Sequence, residues 1–156
     1  MSDALNIKVE KVFTEFLRES GISGLNVYEG HDDSEVVELP SLVCFAGTET
    51  VDDEMPGSTG IKSVTLSLEL RVESEDNYSK IIFDQYLDEL ETALDTGEPV
   101  IEFANAPASL PDLRQTKDLH IYDLIDAGKS TDFDGTQWVR NTNITVLCQS
   151  YDRLTV

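Results

Sequence analysis

Few residues in this chain have the type and spacing for chemistry. His31, Asp32 and Asp33 stand in a row and carry oxygen and nitrogen donors suited to a divalent cation. Neighbouring residues in a chain rarely all point at one ion, so a turn is the plainer assignment. Glu49, Asp52, Asp53 and Glu54 form a second acidic cluster, but without the alternating ligands and central glycine of a calcium loop. A charge run of this kind is read as a solvated face. Asp126 to Asp134 offers carboxylates that can share acid and base roles only where a fold brings them together. His120 alternates with apolar neighbours, which marks a structural or partly exposed ring in a strand. Cys44 and Cys148 lie far apart in the apolar contexts LVCF and TVLCQ and read as reduced, buried thiols. The chain has no glycine-rich phosphate loop, nucleophile elbow, HExxH or CxxC. The expectation is a protein that is not an enzyme and has no catalytic residue, metal or cofactor.

Charge narrows the partners. The 156 residues carry 31 acidic side chains against 11 basic ones, a formal net charge of −20. Such a surface repels nucleic acid and gains nothing from anionic membranes. A hydrophobic content of 40% with clear periodicity argues against a disordered acidic chain. No apolar run approaches the roughly 20 residues of a membrane span. MSDALNIKVEKVF lacks the basic and apolar regions of a signal peptide, so a soluble protein that stays where it is made is expected. The length suits a single domain over residues 1–156.

The positioning element is the stretch 61–73, IKSVTLSLELRVE. Val64, Leu66, Leu68, Leu70 and Val72 alternate with Thr65, Ser67, Glu69, Arg71 and Glu73, which is the period of a strand with one greasy and one wet face. A slip of one residue would turn all five apolar side chains to solvent. Ahead of it, a helix to about Glu19 is predicted from the stripe Leu5, Val9, Val12, Phe13, Phe16 and Leu17. Ser2 or Asp3 is its expected cap, and Lys8, Lys11, Glu15 and Arg18 its wet side. Residues 25–29 form a short strand candidate with 36–39 as a continuation, and 42–46 (LVCFA) a buried strand. Residues 49–60 read as a long acidic hairpin loop leading into the organising strand.

A second helix over 78–94, capped by Asp76 or Asn77, follows from Phe83, Tyr86, Leu87, Leu90, Ala93 and Leu94. Residues 100–103 look like a strand, and 104–117 like an irregular connection. Strands at 119–127 and 137–150 close the chain around a hairpin tip at 128–135. Helix, strands, helix, strands is an α+β order. The predicted architecture is a single mixed, mostly antiparallel sheet with two main helices packed on one face.

The segments DALNIKVEKVFTEFLRES, LVCFAG, SVTLSLELRVES, YSKIIFDQYLDELETAL and DFDGTQWVRNTNITVLCQSYD, in that order, resemble the tail terminator or tail completion proteins of long-tailed bacteriophages. The match spans most of the chain and rests on the order of elements. It implies a small α+β subunit of a homohexameric ring that caps the tail tube, ends tail growth and joins tail to head. The implied setting is the virion's tail end, reached from the host cytoplasm. The implied partners are further copies of the chain, the tail tube protein and a head–tail connector protein, with DNA passing through the lumen without specific binding. A ring wall that does not bind phosphate suits the net charge. On this resemblance Glu49, Asp52, Asp53, Glu54 and Met55 form a loop against the tube or a neighbour. Thr65, Ser67, Glu69 and Arg71 present a strand face to the ring. A neck or head-completion connector, an acidic metal-binding protein and an acidic adaptor are the competing expectations.

Overall fold

The computed structural model describes residues 4–31, 37–51, 61–74, 79–95, 97–105 and 119–150. In chain order these form α1 (Leu5–Glu19), β1 (Asn26–Glu29), β2 (Ser41–Val51), β3 (Lys62–Glu73), α2 (Ser79–Leu94), α3 (Glu98–Asn105), β4 (Leu119–Phe133) and β5 (Gln137–Ser150). The strands make one mixed sheet in the order β1-β2-β3-β5-β4, parallel at β1–β2 and antiparallel elsewhere. The fold is α+β.

β3 lies at the centre because its alternation leaves only one arrangement open. Val64, Leu66, Leu68, Leu70 and Val72 are all buried, and their neighbours on β2 and β5 continue the same greasy face: Leu42, Cys44 and Ala46 on one side, Ile144, Val146 and Cys148 on the other. The helices cover this face. α1 contributes Leu5, Val9, Val12, Phe13 and Leu17, α2 contributes Phe83 and Leu90, and α3 contributes Val100 and Ala104. Each fully buried Leu, Val or Phe is worth about 1.5–3 kcal/mol relative to exposure. The opposite face carries no helix among the described residues.

Several elements differ from the sequence expectation. Ser2 and Asp3 lie outside the described residues, and Ala4, in extended conformation, holds the N-cap of α1 without a side-chain cap bond. Gly21 ends that helix in the left-handed region at φ 74°, as expected. Lys8, expected on the wet side, is buried, because α1 is enclosed by the sheet below and α3 beside it. Residues 37–40 make no strand, and position 36 lies outside the described residues. β2 runs on to Val51 past a bulge between Ala46 and Glu49, pairing Glu49, Thr50 and Val51 with Val64, Ser63 and Lys62. Residues 49–51 are therefore strand, and 52–60 lie outside the described residues, as do the expected caps Asp76 and Asn77.

The largest correction is α3. The run at 100–103 was expected to be a strand, yet a short apolar run does not by itself separate strand from buried helix. Gly97, at φ 89°, turns the chain after α2, and a Cβ there would stand 3.0 Å from Leu124 Cδ1. Pro99 sits in the first turn, where a missing N–H costs nothing. Val100 and Ala104, four apart, then face the core, and Phe103 meets Phe16 with ring centroids 5.5 Å apart. Two main helices thus become three. Ala104 and Asn105, expected within an irregular connection over 104–117, belong to α3, and 106–118 lie outside the described residues.

The closing hairpin is also longer than expected. β4 continues through 128–133, and the tip is Asp134–Thr136. The Asp134 carboxylate accepts bonds from the Thr136 and Gln137 amides at 3.0 and 2.8 Å and from the Thr136 hydroxyl at 2.9 Å. Those donors hold its pKa below the usual carboxylate value. Sequence concealed this extension because the outer part of β4 is exposed on both faces and so has no apolar period. Two bulges, at Ile121/Asp123 and Asp126/Gly128, break its alternation further. Among the described residues no helix is long and apolar enough to cross a membrane.

The packing yields a direct test. Leu68, 1% exposed at the centre of β3, should tolerate no charge: Leu68→Asp is expected to yield no cooperative thermal transition. Leu68→Ala should fold with a loss of about 2–5 kcal/mol in urea denaturation. A wild-type melting curve for the Asp variant would contradict the core assignment.

Candidate functional site

The helix-free face of the sheet brings together the strand residues singled out by sequence. Register places Phe45, Ser67, Asn143 and Gly128 in one row across β2, β3, β5 and β4. The next row holds Thr65, Thr145 and Ile125. Neither row carries a charge, although 27% of the chain is charged. The Ser67 hydroxyl donates to Asn143 Oδ1 at 2.8 Å, joining β3 to β5 at the centre of this face. Phe45 is 46% exposed and Ile125 equally so, which makes this face apolar as well as neutral. LVCFA was expected to be a buried strand. Only Leu42, Cys44 and Ala46 are buried, because the helices cover a single face.

Toward the hairpin tip the same face becomes charged but internally paired. Arg71 Nε donates to Glu69 Oε1 at 2.5 Å and Nη1 to Gln137 Oε1 at 2.9 Å, with Asp134 at 4.0 Å. Thr65, Ser67, Glu69 and Arg71 thus share one surface, as the alternation requires. The acidic loop fares differently. Glu49 is paired within β2, opposite Val64, while Asp52, Asp53, Glu54 and Met55 lie outside the described residues.

The structure also builds a polar cluster that sequence reading missed. Glu10, 1% exposed on α1, accepts the His31 amide at 2.6 Å and the Ala46 amide at 3.1 Å, and pairs with His31 Nδ1. β1 stops at Glu29 while β2 runs on, so the carboxylate takes the donor that a longer β1 would have taken. His31 stacks on Phe45 at a centroid distance of 4.9 Å. Gly30 is required beside it, because a Cβ would stand 2.8 Å from the Phe45 ring. The signal was present in sequence: Glu10 lies on the same helical stripe as Phe13 and Leu17, where a charge needs a buried partner. His31 serves this clamp, and Asp32 and Asp33 lie outside the described residues. Among the described residues no three His, Cys, Asp or Glu side chains gather as metal ligands.

The remaining candidates have local roles. The Asp126 carboxylate accepts the Gly128 amide at 3.0 Å at a bulge of β4 and Asp134 serves the tip, so the two hold separate points of one hairpin. His120 meets Tyr122 edge-on at 4.6 Å, and partial burial lowers its pKa. Both cysteines are free and buried, and burial pushes the Cys44 thiol up to about 12. Neither models of known protein families nor curated protein sequences match this chain.

Two outcomes are expected from this geometry. Glu10→Ala leaves the His31 and Ala46 amides without their acceptor and should cost about 3 kcal/mol in urea denaturation, with Glu10→Gln costing less. At pH 8 a thiol with a pKa of about 12 is almost wholly protonated. A thiol reagent should therefore leave Cys44 unmodified in the native protein, as should the complete burial of Cys148 for that thiol, and should label both in denaturant.

Proposed function

We propose that the protein is a structural ring subunit of the tail terminator or tail completion type. In this role a homohexamer caps a bacteriophage tail tube, ends its growth and joins tail to head. The observation that carries the proposal is the helix-free sheet face. A chain of net charge −20 repels its own copies, and it associates most readily where no carboxylates are set against each other. The rows Phe45–Ser67–Asn143 and Thr65–Thr145–Ile125 meet that condition. Depletion of charge around an aromatic residue is the compositional mark of an interface centre.

The β4 edge of the sheet is a poorer meeting place. β4 carries two bulges, and Asn105 occupies its edge at Ile121, donating to the carbonyl at 3.0 Å and accepting the amide at 2.8 Å. Bulges and plugged edges oppose strand addition. Copies therefore meet through the face. The acidic surface elsewhere lines a lumen through which DNA passes without being bound, and residues Glu49, Asp52, Asp53, Glu54 and Met55 contact the tube end or a neighbouring subunit. The partners are the tail tube protein and a head–tail connector protein.

Sedimentation velocity and negative-stain microscopy, on the protein alone and mixed with tail tubes, test the proposal. Rings are expected, and a monomer under both conditions overturns it. Raising ionic strength from about 0.01 M to about 0.15 M shortens the screening length from about 30 Å to about 8 Å and should promote assembly. Thr65→Glu should abolish rings without lowering the melting temperature by more than a few degrees. Normal rings from that variant would move the interface off this face.

A further inference from the structure

On the helix side of the sheet, α2 and the β4–β5 arm meet at Phe83–Trp138 but stay apart near Leu124. α1 lies over β1, β2 and β3, and α3 over the start of β4, while α2 also reaches the arm at Glu91–Arg140 and leaves a space beside Leu124. The space between is a groove of about 440 Å³. Leu87 and Leu94 of α2 form one wall and Leu124 the other, over a floor of Leu90, Thr142 and Ile144. Gly97 closes one end, held against Leu124.

The rim of this apolar groove is acidic. Glu91, Asp95 and Asp126 stand around it, all exposed, against a single Lys129. Arg140 partly offsets Glu91 at 3.4 Å and also donates to Thr131 at 2.8 Å, so the uncompensated charge at the rim lies at Asp95 and Asp126. The last turn of α2 contains no basic residue, so the negative end of its dipole adds to these carboxylates instead of being offset. Glu98 stands in the first turn of α3 and counters the positive end of that helix. A cation is the missing component on charge, and an aliphatic side chain is the missing component on packing.

We infer that this groove docks a short segment of a partner protein in which an aliphatic anchor is flanked by Lys or Arg. The anchor fills the space between Leu87, Leu94 and Leu124, and the basic side chains meet Glu91, Asp95 and Asp126. A second copy of the chain is a poorer occupant, since its own net charge of −20 opposes entry between three carboxylates. The inference is independent of how copies of the chain assemble.

Fluorescence anisotropy on the full chain tests it with a labelled amphipathic peptide of about 12 residues, Leu on one face and Lys on the other. The triple variant Glu91→Gln/Asp95→Asn/Asp126→Asn keeps the shape and removes the charge, and it should weaken binding about tenfold or more. Neutralising three distant exposed carboxylates, Glu15→Gln/Glu19→Gln/Glu102→Gln, should leave affinity within about twofold. A peptide with Ser for Leu should lose binding. Equal weakening by the distant variant would reduce the effect to net charge and overturn the inference, as would undiminished binding of the Ser peptide. If the groove variant instead changes self-association of the protein alone in sedimentation, the groove belongs to a second copy and the inference fails.

Discussion

One constraint governs the molecule: β3 has a single apolar face and must be paired along both edges to bury it. Its twelve residues register with β5 throughout and with β2 over most of their length. Every helix is consequently drawn to one side. Val9, Phe13, Phe83 and Val100 converge there from three helices, each fully buried. The other side, built from the alternate residues of the same strands, carries no helix among the described residues. Packing and presentation are therefore inseparable in β3, since each inward Leu fixes the direction of its outward neighbour.

The buried Glu10 follows from the same constraint. α1 must lie across β2 near the point where β1 ends, and there the sheet offers backbone donors without a strand to receive them. A carboxylate satisfies the Ala46 and His31 amides together and draws the ring of His31 onto Phe45. Arg18 makes the reciprocal join at the other end of α1, donating to the Val27 carbonyl at 2.8 and 3.0 Å. Polar side chains on one helix thus complete the hydrogen bonding of an uneven sheet, which apolar packing alone does not supply.

Charge is distributed unevenly over this frame. The neutral rows lie on the helix-free face, while the acidic rim lies around the groove between α2 and the β4–β5 arm. The two surfaces are on opposite sides of the sheet and have opposite chemistry, so they suit different occupants. The long β4–β5 hairpin carries both: the inner part of β4 belongs to the core at Leu119 and Ile121, and the outer part of β4 is exposed on both sides. A copy of the chain can lie on one face of that arm while a basic segment lies under the other.

Strict alternation and helical stripes were legible residue by residue. Val64 to Val72, the inward face of α1, the second helix and the span of β5 all follow from periods of two and 3.6 that no tertiary contact is needed to see. What had no period had to wait for the fold. The outer part of β4 is strand only because β5 pairs with it; Val100 and Ala104 are helical because Gly97 and Pro99 redirect the chain; and Glu49 is strand because it lies opposite Val64. The partnership of Glu10 with His31 joins residues 21 apart in sequence through the end of β1. Local periodicity determines which face of an element is greasy, because that depends on neighbours three or four residues away at most. Which elements share that face, where a sheet ends, and what space is left between a helix and a hairpin depend on long-range register, which is decided by the tertiary structure.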